Sequence, residues 1–600
     1  MLKNALCLLA FASTLLPLST AFAQPASAAV APVVQIVEEH AVTMKTRDGV
    51  TLRADIYRPA ADGKYPTLLQ RTPYNKDNEA EFARKAAARG YLVVVQDVRG
   101  RYTSDGEWYT FKHESNDGYD AVEWAAALPN SNGKVGMFGG SYVGATQMLA
   151  AIAHPPHLAG ICPVVTASNY HENWTYQGGA FEQWFDESWT SGLAQDTLNR
   201  LIKDRTNARV GDTVLPLNQY PVFNIAPPQD AAALTGVLAP YFLDWLAHPT
   251  YDDYWKQWSI EENYQNIQVP ALTVSAWYDL FQGGSLRNYL GMKEHGGTEA
   301  ARKGQRLLIA IGGHSGSGRK IGAVDFGPAA AEFDEDNVTL DWYDYLFKGK
   351  QNEFATSKPV RIFVMGKNEW RDEESWPLER AKTTRYLLQS GGKANSAAGD
   401  GTLATAAVGA AAADTYVYDP ANPVPTVGGP LCCDSEHLAP GPQDQKDVEA
   451  RQDVLVYSTP PLAADLEVTG PVTLDLFAKS SAVDTDFTAK LVDVGPDGFA
   501  RNLTEGILRA KFRESTKGEP KLLVPGQVYE YKIDLWSTSN VFLKGHRIRL
   551  EVSSSNFPRF DRNLNTGKDA STDGTMVTAT NTVLHDTAHP STLILPVVPR

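Results

Sequence analysis

Cysteine is scarce in this chain, with four in 600 residues, and the first of them, Cys7, lies inside an apolar leader. Disulfides therefore do not staple a fold of this size, and a cysteine-built zinc site lacks its ligands. No HExxH sequence occurs, which removes the helix-borne zinc hydrolases. Long basic runs are missing too, and 55 Lys+Arg against 70 Asp+Glu leave a net charge of −15. Phosphate-backbone binding then has no electrostatic support, so nucleic acid is not an expected partner. What is there is ordinary: 43% hydrophobic and 21% charged residues is the composition of a soluble globular protein. A chain of 600 residues exceeds what one hydrophobic core organises, and two to four domains are expected.

The opening "MLKNALCLLAFASTLLPLSTAFAQ" has a lysine near its start, an apolar run from Ala5 to Leu18, and Ala21-Phe22-Ala23 before Gln24. The run is short for a bilayer span, and the pattern predicts a signal peptide over residues 1–23 with a mature chain from Gln24. The expected product is periplasmic or secreted and free of the membrane after cleavage. Of the remaining cysteines, Cys162 in "GICPVV" reads as a buried thiol. The neighbours Cys432 and Cys433 stay open between a vicinal disulfide and two thiols.

Apolar, β-branched runs such as "YLVVVQDVRG" and "KVGMFG" alternate with helical stretches such as "NEAEFARKAAARG" and "YVGATQMLAAIAH". That rhythm predicts an α/β fold, a parallel sheet covered by helices, over residues 24–167. From 168 to 262 aromatic-rich segments without clear strands replace it, and the rhythm returns over 263–352. The middle block reads as a helical cap inserted into the α/β domain. Residues 353–600 hold many short strands with Pro- and Gly-rich turns, the pattern of a jelly-roll β-sandwich. The low-complexity stretch "SGGKANSAAGDGTLATAAVGAAAAD" reads as a surface loop within it.

Ser141 follows the strand-like "KVGMFGG" and precedes a helical run, the setting of a nucleophile elbow. Gly139 stands two residues before it, but Val143 occupies the position two residues after, where glycine is usual, and Gly144 follows. A serine hydroxyl needs a histidine to accept its proton and a carboxylate to orient that histidine. Asp279 ends the strand "LTVSAWYD" and His314 follows "RLLIAIGG", both at strand ends and in the expected chain order. His295 in "KEHGG" reads instead as a helix C-terminal cation, and His154 and His157 fall at the far end of the elbow helix. Asp97 precedes the serine and is expected to pair with Arg99 or Arg101. The oxyanion needs at least two donors. One is the backbone N–H of Tyr142; where many such enzymes place a glycine-rich loop this chain has "QRTPYNK", which makes Tyr74 the side-chain donor.

The set "RTPYNK", "QDVRGRYTSDGEWY", "NDGYDAVEW", "GKVGMFGGSYVGATQ", "SAWYDLF" and "GGHSG" resembles the CocE/NonD hydrolases, the X-prolyl dipeptidyl-peptidase-like family, along nearly the whole mature chain. The resemblance implies an α/β-hydrolase domain, a helical cap and a C-terminal jelly roll. In that family the elbow reads glycine, any residue, serine, tyrosine, any residue, glycine, which Gly139 to Gly144 fit. It also implies a triad of Ser141, Asp279 and His314 and oxyanion donors at Tyr74 and Tyr142. Amino acid ester hydrolases in the family carry carboxylates at the second and third residues after the triad aspartate, where this chain has Phe281 and Gln282. Glu172 in the cap is then the remaining carboxylate for a substrate ammonium. The expected activity is cleavage of a small-molecule ester or amide with no metal or organic cofactor. Trp174, Phe181, Trp277 and Phe281 are candidates for a mainly apolar pocket. Alternatives are X-Pro dipeptidyl-peptidase, β-lactam acylase or α-amino acid ester hydrolase activity, or a carbohydrate- or surface-binding jelly roll beside a weak hydrolase. The oligomeric state, including a homo-oligomer, stays open.

Overall fold

The computed structural model describes residues 34–202, 238–406, 411–568 and 573–599. The leader assigned to residues 1–23, the start at Gln24 and the middle of the expected cap lie outside the described residues. Ten strands build the first sheet: β1 (Ile36–Lys45), β2 (Thr51–Pro59), β3 (Tyr65–Thr72), β4 (Leu92–Asp97), β5 (Ser131–Gly140), β6 (Leu158–Val164), β7 (Leu272–Tyr278), β8 (Arg306–Gly313), β9 (Val360–Val364) and β10 (Glu369–Glu373). Their order is β1-β2-β4-β3-β5-β6-β7-β8-β9-β10, with the short strand Gly316–Ser317 added beside β8. From β4 through β9 neighbouring strands run parallel. Strands β4 and β7 are buried at every residue, as parallel strands covered on both faces must be.

Helices α1 (Ala80–Ala88), α2 (Glu114–Ala126) and α3 (Tyr142–Ile152) come from the first half of this domain. Ten consecutive residues of α3, Tyr142 to Ala151, are buried, so the helix that leaves the elbow has neighbours all round. In the cap, a small ladder pairs Tyr176–Gln177 with Ala180–Phe181 and leads into α4 (Gln183–Ile202) and α5 (Pro240–Ala247). Trp174, Trp245 and Trp255 are among its fully buried side chains. Helices α6 (Gln282–His295) and α7 (Glu335–Lys348) come from the second half of the α/β domain. The ends of α7 are set by local chemistry: the Asp334 carboxylate accepts from Asn337 N at 3.0 Å, and Gly349 closes it in the left-handed conformation at φ +64°.

A second, almost wholly antiparallel eleven-stranded sheet runs from Lys382–Gln389 to Thr592–Val598. One strand expected in this region belongs elsewhere: β9 pairs with β8 (Leu307 opposite Val360), and β10, which is not among the expected strands, pairs with β9. Strand β9, although it follows position 353, thus joins the hydrolase sheet, because the apolar "VRIFV" fits a parallel neighbour as well as a sandwich strand. The two units share one core, in which Ile309, Ile362 and Trp277 join Leu474, Leu491 and Ile533. Backbone bonds cross the junction from Met365 N to Ser539 O (3.0 Å) and from Val541 N to Met365 O (2.8 Å).

The low-complexity stretch is more than a surface loop. It contributes the strand Thr402–Ala404, buries Leu403, and ends at Asp414, a buried carboxylate that accepts from Ser390 Oγ (2.7 Å) and Tyr457 OH (2.8 Å). Its alanines and glycines conceal these few inward-facing groups. Cys162 is a buried free thiol, pushed up to about 12 by burial. Cys432 and Cys433 form a disulfide.

Candidate active site

Strand β5 ends at Gly140, α3 begins at Tyr142, and Ser141 between them adopts φ +60°, ψ −128°. A non-glycine residue at positive φ carries strain, and here the turn lifts the hydroxyl off the sheet. The glycine pattern follows from what a Cβ would strike. At Gly139 it would lie 2.5 Å from Val143 Cγ1, and at Gly144 it would lie 2.7 Å from Thr166 Cβ. At Gly140 the nearest atom would be an ordinary 3.5 Å away. Space is therefore demanded two residues before the serine and three after it, and Val143 sits where no neighbour excludes a side chain.

Strand β8 delivers His314 and β7 delivers Asp279. His314 Nε2 lies 2.9 Å from Ser141 Oγ, and His314 Nδ1 lies 2.7 Å from Asp279 Oδ2. Asp279 is fully buried, and its other oxygen accepts from Phe281 N at 2.7 Å. The carboxylate can only accept, so Nδ1 carries the proton and Nε2 is left to face the hydroxyl.

Tyr74 follows β3 on a turn held by Tyr74 N donating to Thr72 Oγ1 at 3.0 Å. Its phenolic oxygen accepts from Trp189 Nε1 at 2.9 Å. Burial raises the phenol, opposed by hydrogen bonds involving Trp189, the Ser141 side chain and the Tyr142 backbone. Tyr74 O and Tyr142 N thus converge on the serine. The Tyr142 side chain points the other way: its hydroxyl accepts from Phe111 N (2.7 Å) and donates to Glu114 Oε1 (3.1 Å), whose second oxygen receives Arg71 Nη1 (2.6 Å). Burial pushes both the Tyr142 phenol and the Glu114 carboxyl upward, and Arg71 opposes the second. This buried chain anchors the first residue of α3, and nothing local in "HESNDGYD" announces that Glu114 faces inward.

Aromatic rings close the other side. Phe281 meets the His314 imidazole edge-on at 5.1 Å and stacks on Trp174 at 4.4 Å. Phe185 contacts both, at 5.3 Å from Phe281 and 5.5 Å from Trp174. Trp189 lies 5.5 Å from Trp174 and stacks on Tyr142 at 5.9 Å. Phe181 belongs to the same apolar cluster one layer back, against Tyr176 and Phe242. Phe185 and Trp189 are not among the candidates named from the sequence, although Phe185, Trp189 and Leu193 recur at four-residue spacing on α4.

Trp277 corrects the expectation. Its indole donates to Phe363 O at 2.7 Å and its ring lies 5.8 Å from Trp376, in the core shared with the C-terminal domain rather than at the imidazole. Gln282 is likewise turned away, its amide bonded to Trp277 O (3.1 Å), Ser537 O (2.8 Å) and Ser537 N (2.9 Å). Glu172 is buried and accepts from Gly178 N at 3.1 Å. Asp97 pairs with neither expected arginine. It accepts from Lys76 N (2.8 Å) and from Thr103 N (3.1 Å) and Oγ1 (2.6 Å), while Arg99 binds Asp48 and Asp117. His295 ends α6 exposed, and His157 pairs with Glu123 at 2.7 Å beyond the far end of α3.

Residues 48–316 match the X-Pro dipeptidyl-peptidase (S15 family) and residues 352–594 the X-Pro dipeptidyl-peptidase C-terminal non-catalytic domain. A cocaine esterase from Rhodococcus sp. (strain MB1 Bresler) is 39% identical over 93% of this chain and 98% of its own length. A solved aminopeptidase from a marine sediment Thaumarchaeota archaeon shares 26% identity at a TM-score of 0.81, over 94% of this chain and 97% of the other. A solved α-amino acid ester hydrolase shares 25% identity at a TM-score of 0.79, over 96% and 99%. With an elbow serine, an imidazole facing it and likeness along both domains, this chain belongs to the CocE/NonD hydrolases of the X-Pro dipeptidyl-peptidase S15 family and is a serine hydrolase acting on small molecules.

Proposed function

We propose that the chain hydrolyses neutral carboxylic esters with a bulky, apolar acyl group through an acyl-enzyme on Ser141. Ser141 Oγ attacks the carbonyl carbon as its proton passes to His314 Nε2, and Asp279 holds Nδ1–H and balances the imidazolium charge. Tyr74 O–H and Tyr142 N–H hold the oxyanion. The imidazolium then protonates the departing alkoxide as the C–O bond breaks. Water, deprotonated by His314, attacks the acyl-enzyme and releases the acid, returning the proton to Ser141.

The observation that carries this reading is the hydrogen-bonded line from Asp279 Oδ2 through His314 to Ser141 Oγ, at 2.7 and 2.9 Å. The acyl preference rests on the Phe281 and Trp174 stack beside the imidazole. Neutrality rests on the absence of carboxylates at positions 281 and 282. Ester over amide draws on the relative named as a cocaine esterase. A fluorophosphonate is expected to label the wild-type chain and to fail on Ser141→Ala. In a panel of esters and amides, aryl esters should lead; strong preference for free-amine acyl groups or X-Pro amides would overturn the substrate reading. We also propose export to the periplasm or medium, with Phe181 supporting the pocket from behind. A recovered product starting at Gln24 would agree; one retaining the leader would not.

A further inference from the structure

An indole N–H can donate but not accept, whereas a phenolic oxygen carries one hydrogen and accepts through its lone pairs. Trp189 Nε1 donates to Tyr74 O at 2.9 Å, so the Tyr74 hydrogen cannot point towards Trp189. Phenolic hydrogens lie near the ring plane, in one of two opposed directions. With one direction occupied by the indole, the hydrogen takes the other; the Ser141 side chain and the Tyr142 backbone are the phenol's remaining hydrogen-bond neighbours.

The indole is itself fixed. Trp189 is 5% exposed and stacks on Tyr142 at 5.9 Å and Trp245 at 6.2 Å, with Trp174 edge-on at 5.5 Å. The helix that carries it is tied independently to the Tyr74 turn. Arg101, fully buried, donates from Nε to Pro73 O (3.0 Å) and from Nη1 to Leu193 O (3.0 Å), one turn beyond Trp189 on α4. Asp196 Oδ2 adds a bond to Tyr102 N at 2.9 Å. Arg101 thus joins the turn that carries Tyr74 to the helix that carries Trp189.

From this we propose that Trp189 is a positioning residue for the reaction: its N–H orients the Tyr74 hydroxyl towards the oxyanion, so the cap completes the oxyanion site without supplying a donor of its own. This rests on the roles given above to Ser141 and Tyr74. Without Trp189 the phenol divides its hydrogen between two directions, and accepting no bond it is also a weaker donor.

The test measures kcat and KM on one aryl ester for Trp189→Phe, Tyr74→Phe and the double variant. Trp189→Phe should lower kcat about 5- to 10-fold, the size of one hydrogen bond, with KM changed less than about twofold. In the Tyr74→Phe background the same substitution should change kcat less than about twofold, because no hydroxyl remains to be oriented. An equal loss in both backgrounds, or a loss wholly in KM, would overturn the proposal and make Trp189 a packing residue. Should Trp189→Phe fail to fold, 3-benzothienylalanine at position 189 keeps the bicyclic shape and removes only the donor; it should give the same kcat loss, and an unchanged kcat would overturn the proposal. Full kcat in Tyr74→Phe alone would overturn the oxyanion reading itself, a result distinguishable from additivity at Trp189.

Discussion

On the sheet side of Ser141 polar groups come singly from strand ends and each has a fixed partner: Asp279 receives His314 and Phe281 N, and His314 reaches the serine. On the cap side the neighbours are stacked rings, and behind them lie buried acids. Neither oxygen of Asp186 has a hydrogen-bond partner among the described residues, nor has Glu187 Oε1. The sheet side is organised before substrate arrives, so its contribution is electrostatic and falls steeply when one group is lost. The cap supplies shape, water exclusion and, through Trp189, the orientation of a donor. Its removal should be graded, and its buried acids should make it respond to pH.

The largest effect belongs to the sheet side. Ser141→Ala should lower kcat by about 10⁴-fold or more and abolish fluorophosphonate labelling, with stability unchanged in a thermal melt. A loss below about tenfold would break the contrast at its root. Next, Tyr74→Phe should cost about 10²- to 10³-fold in kcat with little change in KM, the cost of one oxyanion donor. An effect confined to KM would make Tyr74 a wall residue instead.

The convergence of Ser141, Asp279 and His314 was legible because each stands where an apolar run ends, and strand ends of a parallel sheet share one edge. A missing glycine pointed to Tyr74, whose part as an oxyanion donor belongs to the proposal. The division between Trp277 and Phe281 was not. Trp277 lies within β7, where alternation fixes its direction into the shared core, and Phe281 lies past the strand end, where only the turn around Asp279 decides. The Arg71–Glu114–Tyr142 chain was hidden for a related reason, since three ordinary residues became one network only through tertiary packing. Strand β9 shows the limit for the fold: an apolar pentapeptide states that it is buried, not which sheet receives it.

On the cap side, Phe281→Leu keeps bulk but loses the ring that stacks on Trp174 and meets the imidazole. Preference for an aryl over an acetyl ester, taken as the ratio of kcat/KM values, should fall about 3- to 10-fold, the worth of aromatic contacts beyond simple burial. An unchanged ratio would place the acyl group elsewhere and leave the rings as packing.

The smallest expected effect separates the two sides by pH. Asp186 is fully buried, and burial, with Glu182 and Glu187 nearby, pushes its carboxyl well above the ordinary carboxylate range. The folded chain therefore keeps a proton that the unfolded chain releases above a pH of about 4. Wherever the folded state binds more protons, stability falls as pH rises, so this group favours folding in acid and counts against it at neutral pH. Glu182, raised to about 7 by burial despite Arg559, acts in the same direction. Asp186→Asn has nearly the same shape and no proton to hold. It should match the wild type in thermal melts near pH 4 and melt measurably higher than it near pH 8, while kcat on an aryl ester at neutral pH changes little. Equal stability of the two chains at both pH values would mean that Asp186 finds compensation in solution, and the sheet and cap would then differ in shape alone.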